Sequence, residues 1–167
     1  EVSNPNNKSV TKSDLFGYYA SRVAFGPQSP VDSGMQPVAI AVGDLNGDKK
    51  DDLVVANNGA GTVSVLLGKG TGAFEQAKTL NVGTEPVAVR IADLNKDSKW
   101  DLVVANSYSG SISVLIGNGD GTFKDAANTP ISGSPSSLAV SDFTGDGKDD
   151  VAVGTSDSGT VVILPGK

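Results

Sequence analysis

The sequence predicts an all-β fold of about three β-propeller blades, each of four antiparallel strands, forming a partial propeller or half of an oligomeric ring. Three observations predict it. One segment recurs every 49 residues, starting at Pro37, Pro86 and Pro135. Each copy consists of short apolar runs separated by turns rich in Gly, Asn, Ser and Thr. No stretch repeats its apolar residues at the ~3.6-residue helical spacing, which disfavours a helical solenoid of similar period.

Residues 1–20 open with the polar, aperiodic EVSNPNNKSVTKSD and are expected to form a flexible arm or linker. Leu15, Phe16, Tyr18 and Tyr19 supply a short lead-in that can pack. The repeat region is expected over 21–167. Phe25, Phe74 and Phe123 each precede the next repeat's proline by 12 residues. Residues 25–36 therefore read as the fourth strand of a repeat whose earlier part is missing, followed by repeats 37–85, 86–134 and 135–167. The last stops before its own fourth strand.

Within a repeat, strand one alternates apolar residues at Val38, Ile40 and Val42. Strand two is the denser run Leu53–Ala56, which suggests burial on both faces. Strand three alternates at Val63, Val65 and Leu67, and again at Ile112, Val114 and Ile116. Strand four follows the Phe, near Ala77 to Val82. Glycines 61, 110 and 159 mark the turns between strands two and three, where hairpins need positive φ.

The composition excludes much chemistry. With no Cys and no His, disulfides, thiolate or imidazole metal sites and His-based nucleophilic catalysis are ruled out. The net charge of −6 disfavours nucleic acid. No apolar run approaches the roughly 20 residues of a membrane span, so no membrane insertion is expected. Beginning at Glu1, the chain reads as a mature secreted form or an excised piece.

Eleven of the nineteen acidic residues fall in three loops between strands one and two, an unevenness that calls for a cation. The loops are DLNGDKKDD at 44–52, DLNKDSKWD at 93–101 and DFTGDGKDD at 142–150. Oxygen side chains recur at positions 1, 3, 5 and 9 of each. They are Asp44, Asn46, Asp48 and Asp52 in the first loop. Asp93, Asn95, Asp97 and Asp101 follow in the second, and Asp142, Thr144, Asp146 and Asp150 in the third. Position 7 is Lys50, Lys99 or Lys148, which can offer only its backbone carbonyl. This hard-oxygen set suits calcium, about three ions in all, with stricter magnesium second and zinc or copper unsuited. The loops are not EF-hands: Val55, Val104 and Val153 stand where that motif has a bidentate Glu, and strands flank them. The third loop, with Gly147 at its bend, is nearest the consensus, and the second is furthest.

The segments GDLNGDKKDDLVVAN and SDFTGDGKDDVAVGT, with the NGDGTF turn, resemble FG-GAP/VCBS repeats. Such repeats build calcium-binding propellers in integrin α subunits, fungal lectins and bacterial secreted proteins. The resemblance covers about 25–167 and implies calcium at the positions named, together with a secreted or cell-surface setting. Its propellers commonly have about seven blades, whereas three are present here. Two chains closing a six-bladed ring, or a piece of a larger propeller, would resolve the difference.

The function expected is a binding or adhesion module for protein or glycan, held rigid by structural calcium. A lectin with sugar sites between blades and a non-binding spacer of a larger secreted protein are the alternatives. An enzyme is not expected, because no carboxylate pair stands outside the loops. Two aromatics are candidate ligand-binding residues. Trp100 stands where the other loops have Asp51 and Asp149, and Tyr108 lies in the turn after strand two. Asp120 and Asp157 read as turn residues.

Overall fold

The computed structural model describes residues 27 and 29–167. The chain divides into two units, Glu1–Pro30 and Val31–Lys167. The arm expected over 1–20 lies outside the described residues, and every described strand belongs to the second unit.

Alternating apolar residues, punctuated by glycine turns, fold as eleven strands in three antiparallel sheets. The first sheet contains β1 (Pro37–Gly43), β2 (Asp52–Asn57), β3 (Thr62–Leu66) and β4 (Lys78–Asn81) in the order β1-β2-β3-β4. The second repeats this order with β5 (Pro86–Ala92), β6 (Asp101–Asn106), β7 (Ser111–Leu115) and β8 (Ala127–Pro130). The third has three strands among the described residues, β9 (Pro135–Ser141), β10 (Asp150–Thr155) and β11 (Thr160–Leu164), in the order β11-β10-β9. This is the all-β blade architecture that the repeat predicted. One expected element is missing: the described residues of 25–36 contain no strand, while Phe25, Gly26 and Gln28 lie outside the description. Pro27 and Pro30 remove two backbone donors there, which disfavours pairing.

The sheets pack face to face because each presents a different set of residues on each side. The side of the first sheet toward the second carries Val54, Ala56, Val63 and Val65, buried against Val89, Leu102, Val104 and Leu115. The second sheet repeats the arrangement: Val103, Ala105 and Ile112 cover Leu138, Val151 and Val153 of the third. β6 faces a blade on both sides and is buried at all six positions, as the dense apolar run of strand two implies. Its counterpart β10 is only half-buried at Ala152 and Gly154, on the side away from the second sheet.

Candidate metal-binding loops

The three acidic loops join β1 to β2, β5 to β6 and β9 to β10 at one end of the blades. They share one backbone path. Position 4 has positive φ in Gly47 (79°), Lys96 (59°) and Gly145 (75°), and position 6 in Lys49 (64°), Ser98 (65°) and Gly147 (84°). A side chain in this region costs about 1–2 kcal/mol, so Lys49, Lys96 and Ser98 must be held there by the loop. The holding groups are the acidic side chains. Asp44 Oδ1 accepts the Gly47 and Asp48 amides at 2.7 and 3.1 Å, and its Oδ2 accepts that of Lys49 at 2.7 Å. Asp93 accepts the Asp97 and Ser98 amides, and Asp142 those of Gly145, Asp146 and Gly147.

The side chains at positions 3 and 5 follow the same logic. Asn46 Oδ1 accepts the Asp48 amide at 3.0 Å, and Asp48 Oδ1 accepts that of Lys50 at 3.0 Å. Asn95 and Asp97 repeat this pair of bonds, and Asp146 accepts the Lys148 amide. Asp44 and Asn46 therefore converge on a single N–H, as do Asp93 and Asn95. Every donor here is a hard oxygen on one inward-curving loop, the chemistry calcium requires. The carboxylates are not gathered into a finished set: among the described residues, no three Asp or Glu side chains are grouped to hold a metal. A lysine provides the positive charge instead. Lys50 Nζ lies 2.9 Å from Asp48 Oδ2, and its hydrogen bond holds the Asp48 carboxyl below the ordinary range. Lys99 Nζ stands 4.0 Å from Asp97 Oδ2.

Position 9 stands apart. Asp52, Asp101 and Asp150 are all fully buried and act as clamps. Asp52 Oδ2 accepts the Leu45 amide at 2.8 Å, and Oδ1 accepts that of Gly68 at 2.7 Å. Asp101 takes the Leu94 and Gly117 amides, and Asp150 those of Phe143, Thr144 and Gly166. Each clamp ties its acidic loop to the segment after the third strand, with one carboxylate oxygen turned to each. Burial raises the Asp101 carboxyl, whereas the Gly166 amide leads the bonds that lower Asp150. The clamp's glycine partners are a feature that sequence reasoning missed. The signal was present: Gly68, Gly117 and Gly166 recur at the repeat period of 49.

The two candidate aromatics are both exposed but do not share a surface. Trp100 precedes β6 and Tyr108 follows it, so a strand of six residues, about 20 Å long, separates them. Trp100 lies at the metal-loop end. Beside it, Lys96 of the second loop pairs with Asp149 of the third at 3.3 Å. At the opposite end a shallow groove of about 540 Å³ opens between the β2–β3 turn of the first blade and the segment leading into β5, lined by polar groups including Gln36, Asn58, Asn81, Thr84 and Glu85. Sequence reasoning also passed over Asn57 and Asn106 at this end; each is fully buried with an amide oxygen that has no partner.

Asp120 and Asp157 serve their turns. Asp120 accepts the Thr122 amide at 2.9 Å. Asp157 accepts the Ser134 amide at 2.8 Å, and this bond leads the causes that lower its carboxyl below 3.8. A depressed carboxyl stabilises the fold above the unfolded value and ceases to do so as pH falls through the folded one. An NMR titration should therefore place the Asp157 midpoint below 3.8, and Ser134→Pro, which deletes the donor, should return it toward that value.

A family model for the FG-GAP-like repeat matches residues 44–104 and again 93–153. No curated protein matches the chain. Among solved structures, the crystal structure of BBS1N in complex with ARL6DN, soaked with lead, superposes with a TM-score of 0.50 at 20% identity, covering 84% of this chain and 44% of that one. A mercury-soaked crystal of the same complex gives a TM-score of 0.46 at 21% identity, over 74% and 37% of the two chains. This chain thus spans less than half the length of those chains, and the likeness is one of fold.

Proposed function

The chain belongs to the FG-GAP-like repeat family, and on that premise we propose that it is a calcium-stabilised protein-interaction module of the cell exterior. The observation that carries the calcium reading is the shared conformation of three acidic loops. All take positive φ at positions 4 and 6, even where Lys49, Lys96 and Ser98 carry side chains, and in all the side-chain oxygens accept amides of their own loop. The ion would be held by Asp44, Asn46, Asp48, Asp52 and the Lys50 carbonyl in the first loop. Asp93, Asn95, Asp97, Asp101 and the Lys99 carbonyl serve in the second, and Asp142, Thr144, Asp146, Asp150 and the Lys148 carbonyl in the third. Bound calcium would neutralise the clustered carboxylates and pin each turn; its role is structural. The Lys50 ammonium at Asp48 supplies part of that neutralisation within the chain itself.

A protein partner is supported by the fold, since the superposable BBS1N is itself in complex with ARL6DN. A glycan ligand finds less support. Of the exposed aromatics among the described residues, Tyr108 stands a strand away from Trp100 and Phe143 and cannot share a stacking platform with them, and no aromatic lines the groove at the opposite end of the first blade.

Calorimetric titration should register about three calcium ions per chain. For a dissociation constant of ~10 μM and free calcium of ~1 mM, each site adds roughly 2.7 kcal/mol, so the melting temperature should fall on chelation. A melting curve that does not change with chelator would overturn the calcium reading. Magnesium should reproduce little of the effect.

A further inference from the structure

The turn between β7 and β8 holds a site of spontaneous covalent modification. We propose that Asn118 cyclises onto the Gly119 nitrogen and is converted without an enzyme to aspartate and isoaspartate, loosening the hold of this turn on the first blade. The step needs only water. The Gly119 nitrogen gives its proton to solvent and bonds to the Asn118 Cγ, the Cγ–Nδ2 bond breaks, and ammonia leaves. Water then opens the cyclic imide. Opening at Cγ gives aspartate, and opening at the former backbone carbonyl gives isoaspartate, whose main chain is longer by one methylene. Glycine favours the step because no Cβ hinders its nitrogen.

The fold selects among three Asn-Gly pairs: Asn46–Gly47, Asn58–Gly59 and Asn118–Gly119. At the first, the attacking amide is engaged, since Gly47 N–H donates to Asp44 Oδ1 at 2.7 Å, and Asn46 Oδ1 accepts the Asp48 amide at 3.0 Å. At the second, a half-buried Asn58 opens the single 3-10 turn Asn58–Ala60. Its Nδ2 donates to the Pro86 carbonyl at 3.3 Å, and the Gln36 side chain lies against Gly59. Asn118, by contrast, is exposed, and among the described residues no acceptor takes the Gly119 amide. Asn118 makes two bonds to Thr122, from its amide to the carbonyl and from Nδ2 to Oγ1, both 2.9 Å. Neither engages the attacking nitrogen. Asp-Gly pairs can follow the same route, but their amides are held: Gly121 donates to the Leu45 carbonyl at 3.1 Å and Gly147 to Asp142 Oδ2 at 2.8 Å.

The Gly121 bond gives the modification its consequence. It runs from the second blade to the first, and a Cβ on Gly121 would press on the Leu67 side chain. Leu45 is buried in the core between the first two sheets, directly after Asp44 of the first acidic loop. Turn, core and loop therefore meet at one residue. Isoaspartate at 118 lengthens the chain just ahead of Gly121 and displaces its amide from the Leu45 carbonyl. Aspartate adds a charge beside Asp120. The fold does not require asparagine here. The first blade has Lys69 at the equivalent position, with the same closing bond from Lys69 N–H to the Ala73 carbonyl at 2.9 Å.

The full chain, held in mildly alkaline buffer and sampled over weeks by peptide mapping, should convert at Asn118 first, with isoaspartate identified by isoaspartyl methyltransferase labelling. Asn46 and Asn58 should lag by ~5-fold or more, because each must first break a hydrogen bond worth about that factor. In urea the three should convert alike. Aged wild type should melt at a lower temperature and lose exchange protection at the Leu45 and Gly121 amides, while Asn118→Lys aged beside it should keep both. An Asn118 that stays intact in the folded chain, or converts no sooner than Asn46 and Asn58, would overturn the proposal. So would conversion that leaves melting and the protection of Leu45 and Gly121 unchanged.

Discussion

Asp52→Ala is expected to lower the unfolding free energy by roughly 2–6 kcal/mol, even with chelator present. The cause lies in two bonds. Asp52 is fully buried and accepts the amides of Leu45 and Gly68, both in buried bonds. Alanine leaves both N–H groups without partners in a space closed to water, and each orphan costs about 1–3 kcal/mol. The loss has two structural readouts. Leu45 belongs to the core between the first two sheets, so its loop would pull away from Val89. Gly68 forms a bridge with Phe74 at the base of the turn before β4, so protection of the β4 amides from exchange should fall as well. Asp52→Asn keeps one acceptor but turns an NH2 toward an amide donor, and should recover less than half of the loss. Asp44→Ala provides the contrast. Its carboxylate lies in exposed bonds to its own loop, so under chelator its removal should cost far less. Urea denaturation of the three variants measures all of this. A loss below about 1 kcal/mol for Asp52→Ala in chelator would mean that the amides find other partners.

The contrast between Asp44 and Asp52 shows what spacing conveys. Four oxygen donors at positions 1, 3, 5 and 9 are legible in any one loop, and the 49-residue period makes them certain as a pattern. Strands and blades were legible for a related reason: alternation at Val63 and Val65 and density at Leu53–Ala56 are local signals, and both map onto single strands. What a donor touches is not local. Gly68 lies 16 residues from Asp52, and only folding of the first and third turns onto each other brings them together. Trp100 and Tyr108 illustrate the opposite case. They are eight positions apart in the chain, yet an intervening strand sends them to opposite ends of the blade. The strand expected within 25–36 depended on the most distant information of all. A fourth strand needs a third strand beside it, and the repeat that would supply one is not readable in the residues before it.

Gly117→Ala is the second large effect expected, about 3 kcal/mol or more, and it arises from space alone. A Cβ built on Gly117 would collide with the Trp100 carbonyl oxygen, and the same atom on Gly68 with that of Asp51. Both obstacles are backbone, so no rotamer change can relieve them. The turn must instead retreat from the acidic loop, and its retreat stretches the 2.8 Å bond from the Gly117 amide to Asp101. Overpacking and loss of the clamp therefore act together, and the cost should be non-additive with Asp101→Ala: the double variant should be little worse than the poorer single one. Gly72→Ala is the control. It lies in an equally tight turn with φ of 80°, but nothing approaches within 4 Å, so only the conformational strain of about 1 kcal/mol remains. Measured by thermal and urea unfolding, comparable losses in Gly117→Ala and Gly72→Ala would show that the loop yields to the methyl group. A large loss in the first alone would show that the close approach of turn to loop holds the blade's acidic end in place. Because the approach recurs at Gly68 and Gly166, the same test can be made blade by blade. Gly166→Ala should be the mildest, since its Cβ would stand 2.7 Å from the Asp149 carbonyl.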